Sequence, residues 1–265
     1  MKKNKLVILI TGASSGIGRS TADLLLKQGH QVIGLSRSEP HKPYDFQHVK
    51  CDVSSELSVK AAIESIVKEH SKIDVLINCA GIGISGPLEN MTLEQAKKTL
   101  DVNVLGAFLM SKYALPYLRD TKGIIFNIGS VAGPITIPFQ TFYSMSKAAL
   151  QSFTEGLRLE LKPLGVRAVS ILPGDTKTSF TTRREKMAED AIYGKRLDRS
   201  IKVMEHDEQN GKDPISVARV INKLLFRKHP PVAVTIGFSY KLLVFLNKFL
   251  PKKLVQVIVY SIYGK

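Results

Sequence analysis

Tyr143 and Lys147 stand four residues apart, so on a helix they share one face, a turn from each other. A free tyrosine titrates at about pH 10 and is a poor proton donor or acceptor at neutral pH. An ammonium held beside it favours the phenolate and lowers that value. Such a pair can exchange a proton with the hydroxyl or carbonyl of a substrate. Y-x-x-x-K also arises by chance, as an exposed pair with no chemistry. Its company separates this one from chance: Ser130 lies 13 residues upstream, and the chain opens with a glycine-rich turn.

That turn reads Thr11-Gly12-Ala13-Ser14-Ser15-Gly16-Ile17-Gly18-Arg19. Residues 5–10 before it read as a buried strand, five apolar residues in a row and rich in β-branched types. After it, Ala22, Leu24, Leu25 and Leu26 mark a helix that stops at Gly29. Strand, glycine turn and helix together suggest a nucleotide site. Glycines let the backbone approach a pyrophosphate, and the helix start offers free N–H groups and the positive end of its dipole. The spacing G-x-x-x-G-x-G differs from the commoner G-x-G-x-x-G, and a plain connecting turn would look similar. The second strand, Gln31–Ser36, runs into Arg37-Ser38 with no acid before Glu39. At this strand end an acid suits a ribose 2′-hydroxyl and an arginine suits a 2′-phosphate. A guanidinium fits a phosphate well, so the expected cofactor is NADP (NADPH) rather than NAD. An ordinary loop arginine is the alternative.

The elements that must position these groups alternate regularly. Residues 48–53 read as a third strand ending in Cys51-Asp52-Val53. Ser54 or Ser55 caps a helix to about His70, and 74–79 form a fourth strand leading into Asn78-Cys79-Ala80-Gly81. Thr92 caps a helix that carries Asn103, where local preference for helix is overruled. Residues 123–129 form a fifth strand ending at Ser130, and the helix that Tyr143 opens continues through 148–161 with Leu150, Leu157 and Leu161 in the core. A sixth strand, 165–172, precedes Pro173-Gly174-Asp175-Thr176-Lys177-Thr178. This rhythm implies right-handed βαβ units: an α/β, Rossmann-type doubly wound parallel sheet of about seven strands with helices on both faces. Gly12, Arg37, Asp52, Asn78, Ser130 and Pro173 all fall at strand carboxyl ends, where such sheets bind ligands. Residues 180–212 break the rhythm with charges such as Arg183, Arg184, Glu185, Lys186, Glu189 and Asp190. They read as a lid over the site or as a solvated helix pair. A helix over 214–226 and a last strand over 232–236 complete a domain of residues 1–237.

At 265 residues with 44% hydrophobic and 23% charged residues, the composition is that of a globular chain with a full core. Cys51 and Cys79 give no disulfide framework and no zinc spacing, so no metal is expected and a reducing cytoplasm suits the chain. Net charge is +15, and nine Lys or Arg with no Asp or Glu lie in 214–265. The tail, 238–265, combines Leu242, Leu243, Phe245, Leu246, Phe249 and Leu250 with Lys241, Lys248, Lys252 and Lys253. A basic amphipathic segment of this kind suits peripheral membrane contact, or packs on the domain or on a second subunit.

In these motifs the chain resembles the single-domain branch of the short-chain dehydrogenase/reductases over roughly residues 5 to 237. The likeness rests on Thr11 to Gly18, Asp52-Val53, Asn78 to Gly81, the trio Ser130, Tyr143 and Lys147, and Pro173-Gly174 with Thr178. It implies Tyr143 as the acid/base, with Lys147 lowering its pKa and holding the nicotinamide ribose. By the same likeness Ser130 would bond the substrate oxygen and Asn103 would complete a proton relay. The resemblance further assigns Gly12, Ser14, Ser15, Gly16, Ile17 and Gly18 to the pyrophosphate turn, with Arg37 and Ser38 at the adenosine ribose. Asp52 and Val53 would meet the adenine, and Asn78, Ala80 and Gly81 would stand along the cofactor. Pro173, Gly174, Thr176 and Thr178 would border the carboxamide. Cys79 departs from the family's usual Asn, and Thr176 from its usual Val or Ile. Family members are commonly dimers or tetramers.

The segments 82–88 and 134–142 should border the substrate and are apolar, with no basic residue to grip an anion. A small hydrophobic ketone or alcohol is therefore expected: a steroid, retinoid or lipid ketone, in the manner of hydroxysteroid and retinol-type members. A 3-oxoacyl thioester reductase is the alternative enzyme, its basic surface docking an acidic carrier protein. A non-catalytic NADP-sensing protein on the same fold would more naturally lack Tyr143 or Lys147. No interleaved basic and aromatic pattern points to nucleic acid, which is not expected as a partner.

Overall fold

Strand β1, Val7–Thr11, is buried along its whole length, which places it inside a sheet covered on both faces. The computed structural model describes residues 5–38, 44–187 and 192–264; Glu39, Glu189 and Asp190 lie outside these. After β1 come α1 (Gly16–Lys27), β2 (Gln31–Ser36), β3 (Gln47–Lys50), α2 (Glu56–His70) and β4 (Val75–Asn78). A two-residue strand β5 (Ile84–Ser85), α3 (Leu93–Leu100), a π-helical turn at Asp101–Leu105 and α4 (Gly106–Thr121) follow. Next are β6 (Ile124–Ile128), α5 (Thr141–Leu161), β7 (Arg167–Pro173), α6 (Phe180–Arg183), β8 (Glu185–Lys186) and α7 (Gly194–Gln209). The chain ends with α8 (Ile215–Leu224), β9 (Ala233–Ile236), α9 (Phe238–Leu246) and α10 (Lys252–Tyr263).

Seven parallel strands form one sheet in the order β3-β2-β1-β4-β6-β7-β9. Alternate residues of each strand serve opposite faces. Leu9, Ile33 and Leu76 pack with α2, α4 and α5, whereas Ile8, Ile10 and Val32 pack with α1 and α8. Leu150, Leu157 and Leu161 are buried as expected from their spacing. The strand order reverses between β1 and β4, so their carboxyl ends flank a crevice.

Two caps follow from local chemistry. Ser55 Oγ accepts the Ser58 amide at the start of α2. Thr92 and Gln95 exchange hydrogen bonds as a capping box at α3. Among the described residues of 180–212 stand α6, β8 and α7. Strand β8 pairs in parallel with β5, Ile84 opposite Glu185, and Leu197, Ile201 and Met204 of α7 turn inward against Ile137 and Phe139. The tail forms two helices that expose a large apolar area, and among the described residues no helix is long and apolar enough to cross a membrane.

Candidate active site

The loops at the carboxyl ends of β1, β2, β4, β6 and β7 open into one cavity of about 480 Å³. One end is built by the glycine turn. Gly12 has φ +66°, and a Cβ there would lie 2.9 Å from the Ala80 amide nitrogen. Thr11 Oγ1 accepts the amides of Cys79 and Ala80, each at 3.0 Å, which ties the ends of β1 and β4 together. A Cβ on Gly18 would meet Gly12 O at 2.3 Å, so α1 lies directly on the turn. Ser14, Ser15, Gly16 and Ile17 line the cavity, whereas Gly18 supports the turn from inside the helix. No acid stands in the first turn of α1 and no side chain caps it. Its amides and dipole therefore suit a pyrophosphate, and the glycine cradle fits a dinucleotide.

Arg37 and Ser38, both exposed, line the cavity just past β2. Ser36 Oγ instead donates to Ser38 O at 3.1 Å and lies 2.8 Å from His48 Nε2. Asp52 and Val53 line the same end. Burial works to raise the Asp52 pKa, but hydrogen bonds from the Ser54 hydroxyl and amide, with Arg37 nearby, hold its carboxyl below the usual value. Arg183 of α6, whose site role the sequence did not reveal, donates to Ser15 Oγ at 3.0 Å and places a cation beside the phosphate turn.

Ala80 and Gly81 line the cavity, and Asn78 does not. Its side chain is buried behind the wall, donating to Asn127 Oδ1 at 2.8 Å and Ser111 Oγ at 3.3 Å. Asn127 in turn donates to Thr154 Oγ1 at 2.9 Å. This polar chain ties β4 and β6 to α4 and α5. Its partners lie 27 to 49 residues apart, which a local sequence reading does not connect.

Ser130, Tyr143 and Lys147 meet in the same cavity. Ser130 shares a hydrogen bond with the Tyr143 hydroxyl. Lys147 Nζ donates to Ile128 O at 2.9 Å and lies 5.8 Å from the centre of the Tyr143 ring. Burial pushes Lys147 down to about 8, and the Tyr143 hydroxyl up to about 12. Ser130 and Arg184 pull the tyrosine value down, while Glu208 and Asp175 push it up. The spacing of Tyr143 and Lys147 thus predicts their shared location, but burial outweighs the acidifying effect expected of the lysine. Cys79 lies in the same wall and burial pushes its thiol up to about 12, so it stays neutral.

Asn103 occupies the π-helical turn and does not line the cavity. Its Oδ1 accepts the Ile82 amide at 2.8 Å, and its Nδ2 donates to Ile82 O and Ser146 Oγ, both at 3.0 Å. Asn103 Oδ1 and Lys147 Nζ lie 3.3 and 3.5 Å from the point a Gly81 Cβ would occupy, so they flank Gly81 together. At the other side Pro173, Gly174, Thr176 and Thr178 all line the cavity. Thr176 Oγ1 is turned onto Gly174 O at 2.9 Å. Thr178 packs against Gly16, whose Cβ would lie 3.2 Å from Thr178 Cβ.

Beyond Tyr143 the wall is partly apolar, with Ile82, Ile137, Phe180 and Met204. Phe180 lies 5.6 Å from Tyr143, ring to ring. The same region holds Asp175, Glu208 and Tyr263, none of which the sequence reading placed in the site. A cavity with a phosphate cradle at one end and a paired serine and tyrosine near a buried lysine suits proton exchange at an oxygen next to a bound dinucleotide.

The sequence profile described as short chain dehydrogenase matches residues 6–189. A protein of Bacteroides thetaiotaomicron named 3-ketodihydrosphingosine reductase is 39% identical over 255 residues, covering 94% of this chain and 95% of that one. Among solved structures, a 3-ketoacyl-(acyl-carrier-protein) reductase from Brucella melitensis complexed with NADH is 26% identical with a TM-score of 0.75, covering 89% of this chain and 98% of that one. Another, ElxO with NADP bound, is 28% identical with a TM-score of 0.75, covering 89% and 99%.

Proposed function

The chain belongs to the short-chain dehydrogenase family, an oxidoreductase family acting on carbonyl and alcohol groups, and on that premise we propose that it is an NADPH-dependent reductase of a lipid ketone. The observation that carries this reading is the meeting of Ser130, Tyr143 and Lys147 with the glycine cradle in one cavity. The ketone, NADPH and a proton give the alcohol and NADP⁺, the cofactor supplying the hydride that reaches the carbonyl carbon. Ser130 donates to the carbonyl oxygen and holds it against Tyr143. The Tyr143 hydroxyl, kept protonated by burial, supplies the proton to that oxygen. Lys147, adjacent and cationic at neutral pH, favours the phenolate left behind. Arg37 and Ser38 support NADPH over NADH, since a guanidinium pairs with a 2′-phosphate.

Ile82, Ile137, Phe180 and Met204 support an apolar substrate, and the name of the Bacteroides relative supports a lipid ketone over a steroid or retinoid. Likeness to the Brucella 3-ketoacyl-(acyl-carrier-protein) reductase favours a second reading, a 3-oxoacyl thioester reductase. The tail adds a peripheral membrane contact to the reading. Phe238, Leu242, Phe245, Phe249 and Val257 are exposed beside Lys241, Lys248, Lys252 and Lys253. Asn247 Nδ2 donates to Pro134 O at 3.0 Å, which anchors this surface to the segment bordering the substrate end. Exposed Leu105, Phe108 and Met145 on the helices behind Asn103 and Tyr143 support a homo-oligomer.

The test is NADPH oxidation with a panel of long-chain ketones, steroids, retinal and oxoacyl thioesters. Tyr143→Phe should abolish turnover of the best substrate while leaving NADPH titration unchanged. Retained turnover would refute the assignment of Tyr143, and preference for thioesters would select the second reading.

A further inference from the structure

A dinucleotide brings negative charge at its pyrophosphate, and NADPH brings a further phosphate on the adenosine ribose. The start of α1 meets such charge with free amides and a dipole. The cation nearest the glycine turn along the chain, Arg19, is committed elsewhere. Its Nε donates to both carboxylate oxygens of Asp23 at 2.9 Å, and its guanidinium lies 4.6 Å from the centre of the Tyr44 ring. Among the described residues, the cations lining the cavity are Arg37, Lys98, Lys147 and Arg183. Lys147 is bonded to Ile128 O beside Tyr143, Lys98 pairs with Glu185 at 3.4 Å, and Arg37 stands past β2. Arg183 reaches the turn itself, where its Nη1 donates to the hydroxyl of Ser15, the residue before α1, at 3.0 Å. It is exposed, and among the described residues no carboxylate pairs with it.

The backbone around Arg183 is anchored. Arg184 beside it is buried and pairs with Glu208 of α7. The amides of Glu185 and Met187 donate to Gly83 O and Ser85 O, each at 3.0 Å, and the Glu185 carboxylate accepts Gln95 Nε2 of α3 at 2.7 Å. From this anchored segment the Arg183 side chain bridges to α1. A hydroxyl is a neutral acceptor for a guanidinium, whereas a phosphate oxygen gives a charge-assisted bond about twice as strong. Phe180, three residues earlier, packs on Gly83, where a Cβ would lie 2.6 Å from Phe180 Cζ, and its ring lies 5.6 Å from that of Tyr143. One short segment therefore touches both the glycine turn and the reacting end.

We propose that Arg183 is a cofactor-binding residue, its guanidinium passing from Ser15 to a phosphate of the bound dinucleotide and so holding Phe180 beside Tyr143 while the cofactor is in place. This rests on the dinucleotide reading of the site and deepens it. A charge-assisted bond of this kind is worth about 10- to 100-fold in affinity.

The full-length protein is titrated with NADPH and with NADH by fluorescence, as wild type, Arg183→Gln and Arg183→Lys. Arg183→Gln should weaken NADPH by about 10- to 100-fold and Arg183→Lys by less, with melting in the absence of cofactor unchanged. Equal loss for both cofactors assigns the contact to the pyrophosphate they share, and loss confined to NADPH assigns it to the 2′-phosphate; either upholds the proposal. Added salt should weaken NADPH binding more steeply in wild type than in Arg183→Gln, because a cation–phosphate contact is screened. NADPH should slow hydrogen exchange of the 180–187 amides in wild type and not in Arg183→Gln. Affinity within twofold of wild type, equal salt dependence or equal protection would overturn the proposal. Arg183-dependent NADPH binding with no ketone reduced would uphold this contact and sink the reductase reading. Ketone turnover with NADPH affinity unchanged in Arg183→Gln would overturn the contact and leave that reading standing.

Discussion

Lys147 is 6% exposed, and burial holds its pKa at about 8 against 10.5 for a free lysine. Between those values the folded chain binds fewer protons at this site than the unfolded one, so stability rises with pH across that window. The gap, at about 1.4 kcal/mol per pH unit, is worth about 3 kcal/mol. Below pH 8 that is the cost of keeping an ammonium in the core, offset in part by its bond to Ile128 O. Lys147→Met keeps the length of the side chain and removes the charge. Urea unfolding of the full chain without cofactor, at intervals from pH 7 to 10.5, reads the difference directly. Wild type should gain about 3 kcal/mol on the variant over that range, because groups common to both cancel. At pH 7 the variant should match or exceed wild type in stability while its turnover falls. Parallel pH profiles would refute the reasoning, since they would mean that the ammonium is as well solvated in the folded chain as in the unfolded one.

Arg37→Asp should weaken NADPH by about 10- to 100-fold and NADH far less, in paired fluorescence titrations; equal losses would count against the 2′-phosphate assignment. Gly18→Ala puts a Cβ 2.3 Å from Gly12 O and should cost about 1–3 kcal/mol of thermal stability together with cofactor affinity. Unchanged melting would mean that α1 can back away from the turn. Reversing Lys241, Lys248, Lys252 and Lys253 to Glu should abolish sedimentation with anionic phospholipid vesicles, each lysine contributing about 1 kcal/mol. Binding that survives the reversal would leave the tail as a packing element alone.

Much of the scaffold was legible because its signals are local. The apolar run Leu6–Ile10 announces β1, and Thr92 announces α3 because its cap partner Gln95 lies within the same turn. Tyr143 and Lys147 were readable for the same reason: helical spacing alone puts them on one face. Burial was not readable, and it sets the direction of both their pKa shifts. Asn127, Ser111 and Thr154 behind Asn78 escaped notice because the sheet order, not sequence proximity, brings them together. Arg183 at Ser15 is separated from its partner by 168 residues. The charge of 180–212 hid the spacing of Leu197, Ile201 and Met204, which fixes one face of α7 inward and carries Glu208 into the cavity. Asp175 drew attention only as a neighbour of Thr176, since nothing in its surroundings along the chain says that it lines the cavity.

The π-helical turn at Asp101–Leu105 has a consequence for the lengths this chain tolerates. A π turn is an α-helix with one residue inserted, and each residue advances a helix by about 100°. The wider turn absorbs the extra residue, so removing one residue from 101–105 would restore regular winding with α3 and α4 still in phase. What would be lost is the bulged place of Asn103 against Ile82 and Ser146. A deletion elsewhere in α3 or α4 would instead rotate one part of the helix against the other by about 100° and turn the buried face of α4 away from the sheet. A scan of single-residue deletions along 93–121 should therefore show its mildest loss of folding within 101–105.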